Sequence, residues 1–324
     1  MEHRILFLFL FFFSVNSMAA EALPDPVKMV RVPASEFVMG SDKQQQVALQ
    51  TEFGSLKPWY MDEHPQHQEF VDEFFIDETE VTNRQFREFV VAKGQQPPKH
   101  WLENGYLVSL KKDKLKALSV VRLRHVAVNV FRMDLDVRDM SKLQILAVID
   151  KYFAKLDVLP VYNVNWFTAQ AYCEWTGKHL PTEAQWEKAA RGVKGNEFPW
   201  GNQWKPGMSN TGDEEWDFGV APVHSYESDL SSFGIYDLAG NVSEWVQDWY
   251  QAYQNSDYQS DQFGQKFKVV RGAGWGSDGH YALQMYQRGA YRLFLSPDAE
   301  HEDLGFRCVK NTTPVKNKKQ LAAH

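Results

Sequence analysis

FGIYDLAGNVSEW (233–245), called the opening stretch, decides the fold of this chain. It begins with a short apolar run, turns at Ala239-Gly240-Asn241, and starts a second buried run at Glu244. Glycines and polar residues interrupt every regular spacing of apolar residues, so the stretch matches neither a continuous helix nor a continuous strand. The sequence therefore predicts a core built on turns rather than on long regular elements.

The same stretch offers oxygen atoms to a cation. The carboxylates of Asp237 and Glu244 flank the backbone carbonyls of Gly240 and Val242. Such alternation of carboxylate and carbonyl oxygens is typical of Ca²⁺ sites. It is equally typical of a tight turn whose acidic side chains cap nearby backbone groups. From the spacing alone, both interpretations stay open.

Four motifs occur in an order that resembles a known family. They are HLPTEAQWEKAARG (179–192), FPWGN (198–202), GIYDLAGNVSEW (234–245) and DLGFRC (303–308). Together they resemble the formylglycine-generating-enzyme, or sulfatase-modifying-factor, superfamily over residues 29–310. The resemblance implies an α+β, loop-rich fold that is related to C-type lectins and has little regular secondary structure. The fold does not imply one activity, because a scaffold can carry several chemistries.

The ends of the chain predict export. Arg4 precedes an apolar run at 5–15, and the small residues at 17–20 offer a cleavage site, as in a secretory signal peptide. We expect residues 1–20 to be removed, residues 21–310 to form one domain, and the polar tail 311–324 to fray. The run is short for a membrane span, so the expected location is periplasmic or secreted, without a stable membrane anchor. An uncleaved anchor is the alternative.

Composition excludes one class of partner. The 324 residues carry a net charge of −7, with no basic stripe of the kind that binds nucleic acid.

The two cysteines, Cys173 and Cys308, permit a single disulfide in an exported protein. The resemblance implies that these two positions are paired, and two buried free thiols are the alternative.

Several elements can be placed from pattern. MVRVPASEFVMG (29–40) alternates around a Pro-Ala-Ser turn and predicts a hairpin. Thr82 or Asn83 is expected to cap a helix that ends at Gly94, and Thr182 is expected to cap another that buries Trp186. DEHPQH (62–67) contains potential metal ligands, but we interpret it as structural.

Residues 103–158 depart from the family pattern as an insertion. Val126, Val128 and Val130, followed by Phe131, Met133 and Leu135, predict a bulged strand or two short strands. An amphipathic helix is expected over 140–155, and its packed face is expected to comprise Leu143, Leu146, Ile149, Tyr152 and Phe153. The insertion is thus predicted to fold, and it could form a partner surface or a wall of the substrate pocket.

The resemblance implies two calcium sites that would hold loops together. The first would use Asn210, Thr211, Glu215 (or one of its acidic neighbours Asp213 and Glu214) and Asp217. The second is the opening stretch, through Asp237, Gly240, Val242 and Glu244. In both, many oxygen ligands lie close together in sequence, as Ca²⁺ requires.

The catalytic expectation is negative for formylglycine formation. The family binds copper through two cysteines five residues apart, and thiolates suit Cu(I). By resemblance these positions fall on Ser277 and Ala282, which cannot replace a thiolate. The family pocket would contain Trp275, Ser277, His280, Tyr286, Arg288 and Arg292. We favour structural roles for them, with the arginines paired to buried carboxylates, and His280 is the exception because a histidine can titrate near neutral pH.

Two functions therefore remain open. One is an exported oxidase or modifying enzyme acting on a peptide or peptide-derived metabolite, with a copper or iron site still possible. The other is a non-catalytic, calcium-stabilised binding or assembly module whose partner is a protein or peptide contacting residues 103–158.

Overall fold

The computed structural model describes residues 27–44, 60–212, 215–276 and 284–312. Within these ranges the chain forms nine strands, seven α-helices and short turns of other helix types. The strands are β1 (Met29–Val32), β2 (Ser35–Met39), β3 (His67–Val71), β4 (Phe74–Asp77), β5 (Ser243–Trp249), β6 (Lys268–Arg271), β7 (Leu293–Leu295), β8 (Leu304–Gly305) and β9 (Val309–Asn311). The helices are α1 (Asn83–Lys93), α2 (His100–Glu103), α3 (Lys112–Ala117), α4 (Val120–His125), α5 (Lys142–Asp157), α6 (Trp166–Trp175) and α7 (Glu183–Arg191). Mixed helix and strand with long connecting loops confirms the α+β, loop-rich prediction.

The first two strands do not pair with each other, so the predicted hairpin over 29–40 is wrong. β1 pairs with β4 and β2 pairs with β3, with Val32 opposite Phe74 and Ser35 opposite Val71. The two segments thus run in one direction along a single long antiparallel ribbon that is interrupted at residues 33–34. Proline has no N–H to donate, so it interrupts the ladder without reversing the chain.

The opening stretch feeds the four-stranded sheet, whose order is β7-β6-β5-β8. β5 begins at Ser243, directly after the turn at 239–241, and Glu244 lies opposite Arg271 of β6. On its other side β5 runs parallel to β8, with Ser243 opposite Leu304. The opening stretch therefore lies between the DLGFRC motif and β6, the strand that leads to Trp275.

The predicted helix starts are confirmed by capping boxes. The side chains of Thr82 and Thr182 accept hydrogen bonds from the backbone N–H of Gln85 and Gln185, and each glutamine bonds back to its cap. Gly94 ends α1 with a φ of 64°. A left-handed residue at this position favours glycine because it has no Cβ.

The insertion folds, but without the predicted strands. Residues 120–130 continue from α4 into one π-helical turn, Val126–Val130. The buried residues are Leu123, Ala127 and Phe131. This spacing of four residues is a helical period. The alternating valines do not form the buried face of a strand, since Val128 and Val130 remain exposed.

Helix α5 is confirmed within two residues at each end, although its packed face is rotated. The buried residues are Ile145, Ile149, Phe153 and Leu156, while Leu143 is 79% exposed. Leu146 and Tyr152 are partly buried against the same core. The prediction of Leu143 as a packed residue is therefore wrong.

Two aromatic-rich cores and one disulfide complete the packing. One core joins α1, α6 and the insertion around Phe86, Trp101 and Tyr172, and the second lies around Phe74 and Trp186. Cys173 of α6 and Cys308 are joined by a disulfide, with their Cα atoms 5.6 Å apart. The pairing implied by the resemblance is thus present in the structure.

Candidate functional site

Trp275 forms one wall of an open recess of about 590 Å³. The other walls come from the loop that contains NTGDEEWDF, chiefly Trp216, Phe218 and Gly219. The Trp275 backbone N–H donates to the carbonyl of Asn241 at 2.8 Å, within the opening stretch. The turn at 239–241 therefore positions the recess, because it fixes where Trp275 leaves the central sheet.

A second cavity of about 960 Å³ lies between this recess and the insertion. Asp217 and Phe218 line both cavities. Across the second cavity, Tyr152 and Lys155 of α5 face this loop, and Lys155 forms an ion pair with Asp217. The insertion thus lines the second of two adjoining cavities, which share Asp217 and Phe218 and are together called the cleft. A wall of the substrate pocket stays a prediction for the insertion.

The two arginines expected in the pocket are bound to buried carboxylates. Arg288 donates to both oxygens of Glu63 at 2.8 Å and also contacts Glu197. Arg292 donates to Glu183 at 2.7 and 3.0 Å. Burial opposes the charge of both guanidiniums, but the neighbouring carboxylates outweigh it and raise the pKa of Arg288 and Arg292.

These contacts give both arginines a structural role, and neither lines the recess beside Trp275. Glu63 belongs to the DEHPQH stretch, and its contact with Arg288 agrees with the structural interpretation of that stretch.

The remaining predicted pocket residues lie elsewhere. Tyr286 is half-buried, with its ring edge against Tyr291 at 5.1 Å between centroids. Ser277 and His280 lie outside the described residues.

The residues of the first predicted calcium site separate into buried and exposed members. Asn210 and Thr211 are buried, and the Asn210 amide donates to Gly219 and Asn241. Glu215 and Asp217 are exposed and line the recess. Asp213 and Glu214 lie outside the described residues. The two described carboxylates are therefore at the surface, whereas Asn210 and Thr211 are in the interior.

The second predicted calcium site is built around a guanidinium. Arg307 donates through Nε and Nη2 to the Glu244 carboxylate at 2.7–2.9 Å, and through Nη2 to the carbonyls of Tyr236 and Asp237. Trp186 supplies another donor to Glu244 at 2.9 Å. Glu244 is therefore the counter-ion of Arg307. In this arrangement its carboxylate oxygens are engaged by Arg307 and Trp186 and are not free to coordinate calcium. Calcium stays a prediction for this chain.

Gly240 and Val242 serve packing in the structure. Val242 is buried, and a Cβ on Gly240 would lie 2.5 Å from the carbonyl oxygen of Asn210. This close approach of two backbones requires glycine at 240. The glycine thus couples the opening stretch to the loop that lines the recess.

Three buried carboxyl groups that no sequence motif brings together lie behind the opening stretch. Glu80, Asp229 and Asp237 are almost fully buried. Burial, reinforced by Asp237, raises the pKa of Asp229 to about 8 and also raises that of Glu80. No motif marked Glu80 or Asp229, since their proximity arises only from folding. Within the part of the chain that the structure describes, no three His, Cys, Asp or Glu are placed to hold a metal ion.

Trp216 and Phe218 were also missed as site residues. Their signal was present in the sequence, because two aromatic side chains interrupt an acidic loop. Among the described residues, no helix is long and apolar enough to cross a membrane.

The chain is similar in sequence to a known protein family and to several of its members. A family model described as "Sulfatase-modifying factor enzyme 1-like domain" matches residues 15–312. The inactive C-alpha-formylglycine-generating enzyme 2 of Bos taurus is 34% identical over 295 residues, which cover 87% of this chain and 88% of that protein. The formylglycine-generating enzyme of Mus musculus is 30% identical over 305 residues, covering 89% and 76%.

Among solved structures, PvdO from Pseudomonas aeruginosa is similar with a TM-score of 0.54 and 20% identity. The match covers 90% of this chain and 99% of that one. At this identity the similarity concerns the fold alone. It agrees with the α+β, loop-rich architecture described above.

Proposed function

The chain belongs to the sulfatase-modifying-factor family, and from this premise we propose that it is an exported protein that binds a peptide or peptide-derived ligand in the cleft beside Trp275. The single observation that carries the proposal is the cleft formed by two adjoining cavities, the recess beside Trp275 and the cavity that the insertion lines, which share Asp217 and Phe218. Cavities of several hundred Å³ with mixed aromatic and polar walls are typical ligand sites.

Copper–thiolate chemistry does not form part of this proposal. The chain has two cysteines, and both are consumed by the disulfide between Cys173 and Cys308. A disulfide sulfur is not a thiolate and does not serve as a Cu(I) ligand. The relative from Bos taurus is named as inactive, so a member of this family need not form formylglycine.

An extended peptide suits the shape of the cleft. The two cavities adjoin at Asp217 and Phe218, so a ligand that occupies both must be longer than either cavity alone. Its walls combine aromatic rings with both signs of charge, since Lys155 and Asp217 lie together on it. Aromatic side chains give contact area at low entropic cost, while polar groups orient a backbone.

A peptide-modifying enzyme is the second candidate. It is favoured by the extent of the family match, which spans nearly the whole chain rather than a fragment, and by identity to a formylglycine-generating enzyme. Such an activity would need a redox metal or another oxidant. Copper or iron would have to find ligands other than cysteine, because no thiol is available.

Peptide binding is tested with a mixture of random, end-blocked nonapeptides, recovered with the protein by gel filtration and identified by mass spectrometry. Phe218→Ser changes the junction of the two cavities, and Val91→Ser is the matched control, since Val91 is 67% exposed on α1. We expect wild type and V91S to retain the same peptides and F218S to retain at least tenfold less. Equal retention by F218S, or no retention by wild type, would overturn the proposal.

Elemental analysis of the protein, purified from the periplasm without chelators, separates the two candidates. Near-stoichiometric copper or iron, with O₂-dependent modification of a retained peptide, supports the enzyme and overturns the non-catalytic assignment. Calcium alone, or no metal, supports binding without oxidation. The same measurement tests the predicted structural calcium.

Export is proposed from the N-terminal segment and is consistent with the disulfide, which persists in oxidising compartments. We expect the mature protein to lack about the first twenty residues. Intact-mass measurement on the periplasmic fraction checks this, and a full-length mass in the cytoplasmic fraction would contradict it.

A further inference from the structure

We propose that a cavity of about 690 Å³ beside the start of α7 binds a neutral oligosaccharide. The cavity is formed by residues of β2 and β3, the first residues of α7 and the loop that follows β5. Its volume is that of a typical small-ligand site. It shares no described lining residue with the cleft beside Trp275, so the inference goes beyond the proposed function and is independent of it.

The first argument is the carboxamide side chains of the lining. There are five of them, Gln68, Gln251, Gln254, Asn255 and Gln265. A carboxamide holds two N–H donors and a carbonyl acceptor in one plane, and a hydroxyl group both donates and accepts. An ammonium group offers donors only, whereas an ionised carboxylate offers acceptors only. A ligand with several hydroxyl groups therefore satisfies this lining more completely than either ion.

The second argument is the charge of the lining. Among the described residues, Arg292 is the single Lys or Arg on it. The Arg292 guanidinium already donates to the Glu183 carboxylate and to two backbone carbonyls. Glu69 and Asp248 add carboxylates to the same lining. A phosphate or carboxylate ligand would therefore meet repulsion without a cation that is available to bind it.

The third argument is that polar groups of the lining are held in place before any ligand arrives. One oxygen of Asp248, Oδ2, accepts from the backbone N–H of Glu183 at 2.7 Å. His67 Nδ1 donates to the carbonyl of Pro65 at 2.8 Å, and the imidazole lies edge-on to the Tyr253 ring at 5.3 Å between centroids. Groups that are already ordered lose little conformational entropy on binding, which favours even a weakly held ligand.

Trp249 and Tyr253 supply apolar contact area of the kind that a sugar ring uses. The Lys268 ammonium lies 3.9 Å from the centroid of Trp249, and the Arg292 guanidinium lies 4.2 Å from that of Tyr253, so a cation holds each ring. The C–H face of a sugar ring is apolar and packs against an aromatic face. The other apolar residues of the described lining are Met39, Pro65, Ala184 and Ala252. They are small or, like Met39, buried, so a lipid chain or a peptide with large apolar side chains has little to contact.

The proposal is tested by calorimetry with maltotriose, cellotriose and triacetylchitotriose, with trigalacturonic acid and triglucosamine as anionic and cationic controls. We expect at least one neutral trisaccharide to bind at least fivefold more tightly than both charged ones. Gln251→Ala combined with Gln254→Ala should weaken it at least fivefold. Asp248→Asn, which keeps the shape but removes a charged acceptor, should weaken it at least threefold. The matched control, Gln203→Ala combined with Gln259→Ala, changes two exposed glutamines outside the lining and should leave the affinity unchanged.

Three results would overturn the inference. They are no binding of any neutral trisaccharide at millimolar concentration, equal or tighter binding of a charged one, and wild-type affinity in either cavity variant. Circular dichroism of each variant establishes that it is folded. Phe218→Ser, which tests the cleft, should leave saccharide binding unchanged. Failure here is therefore distinguishable from failure of the proposed function, because peptide retention and saccharide binding respond to different variants.

Discussion

At the scale of single residues, buried arginines hold the loops of the core together. Arg271, Arg288, Arg292 and Arg307 are all buried, and each is bound to one or more glutamates. A loop-rich core has few regular ladders to satisfy its backbone. Arg307, for example, also donates to carbonyls of the segments at 77–78 and 236–237. A guanidinium can reach several loops at once because its five N–H donors point in fixed directions.

The first prediction concerns the ion pair between Arg307 and Glu244. Arg307→Ala leaves the fully buried Glu244 without its counter-ion, and we expect a loss of about 3–5 kcal/mol in the free energy of unfolding. Urea denaturation followed by tryptophan fluorescence measures it. Arg138→Ala, which removes an exposed pair with Asp136, is the control and should leave the urea midpoint unchanged. A midpoint for Arg307→Ala equal to that of wild type would show that the pair does not hold the loops together.

At the scale of elements, the insertion shows how a helix finds its packed face. Leu143 and Ile149 are both aliphatic and both lie on α5, yet one is 79% exposed and the other 1%. The packed face is set by α1, α4 and the helical turn at Tyr106–Lys111, which contact α5. Apolar residues on both sides of a helix leave its rotation ambiguous until its neighbours are known.

The second prediction compares these two positions. Ile149→Ala should lower the free energy of unfolding by about 2–5 kcal/mol, because it opens a cavity in the core that joins the insertion to α1. Leu143→Ala should change it by less than about 0.5 kcal/mol, as for an exposed site. Chemical denaturation of both variants provides the measurement. If both had the same effect, the rotation of α5 described here would be wrong.

At the scale of the whole molecule, one covalent link joins distant parts of the chain. Cys173 lies on α6, and Cys308 lies just before β9, 135 residues later. β9 in turn pairs with β4, so the link connects α6 to the strand ribbon at the start of the domain. The disulfide therefore closes the loop that contains the opening stretch, the recess and the central sheet.

The third prediction concerns this link. Replacing both cysteines by serine should lower the free energy of unfolding by up to about 5 kcal/mol, as the chain-entropy model gives for a loop of 135 residues. Denaturation of the double variant and of wild type, each without reductant, measures the loss. Thiol titration of unfolded wild type should find no free thiol, and two free thiols would contradict the pairing.

Much of the fold could be predicted from the sequence, for local reasons. Thr82 and Thr182 start helices because their side chains satisfy the first free N–H groups, and this depends on three neighbouring residues only. The family motifs gave the fold class and the cysteine pairing, and the departures at Ser277 and Ala282 predicted the loss of copper–thiolate chemistry. These signals are carried by residue identity at fixed positions.

Tertiary structure alone decided which partner each charged group takes. Glu244 and Asp237 have the spacing of cation ligands, but Arg307 lies 63 residues beyond Glu244 and reaches it only in the folded chain. The ribbon that replaces the predicted hairpin and the cleft shared by Phe218 and α5 have the same origin. Local sequence determines caps and turns through short-range hydrogen bonds. The strength of an ion pair or the walls of a cavity depend on distances between remote segments, and only packing sets those distances.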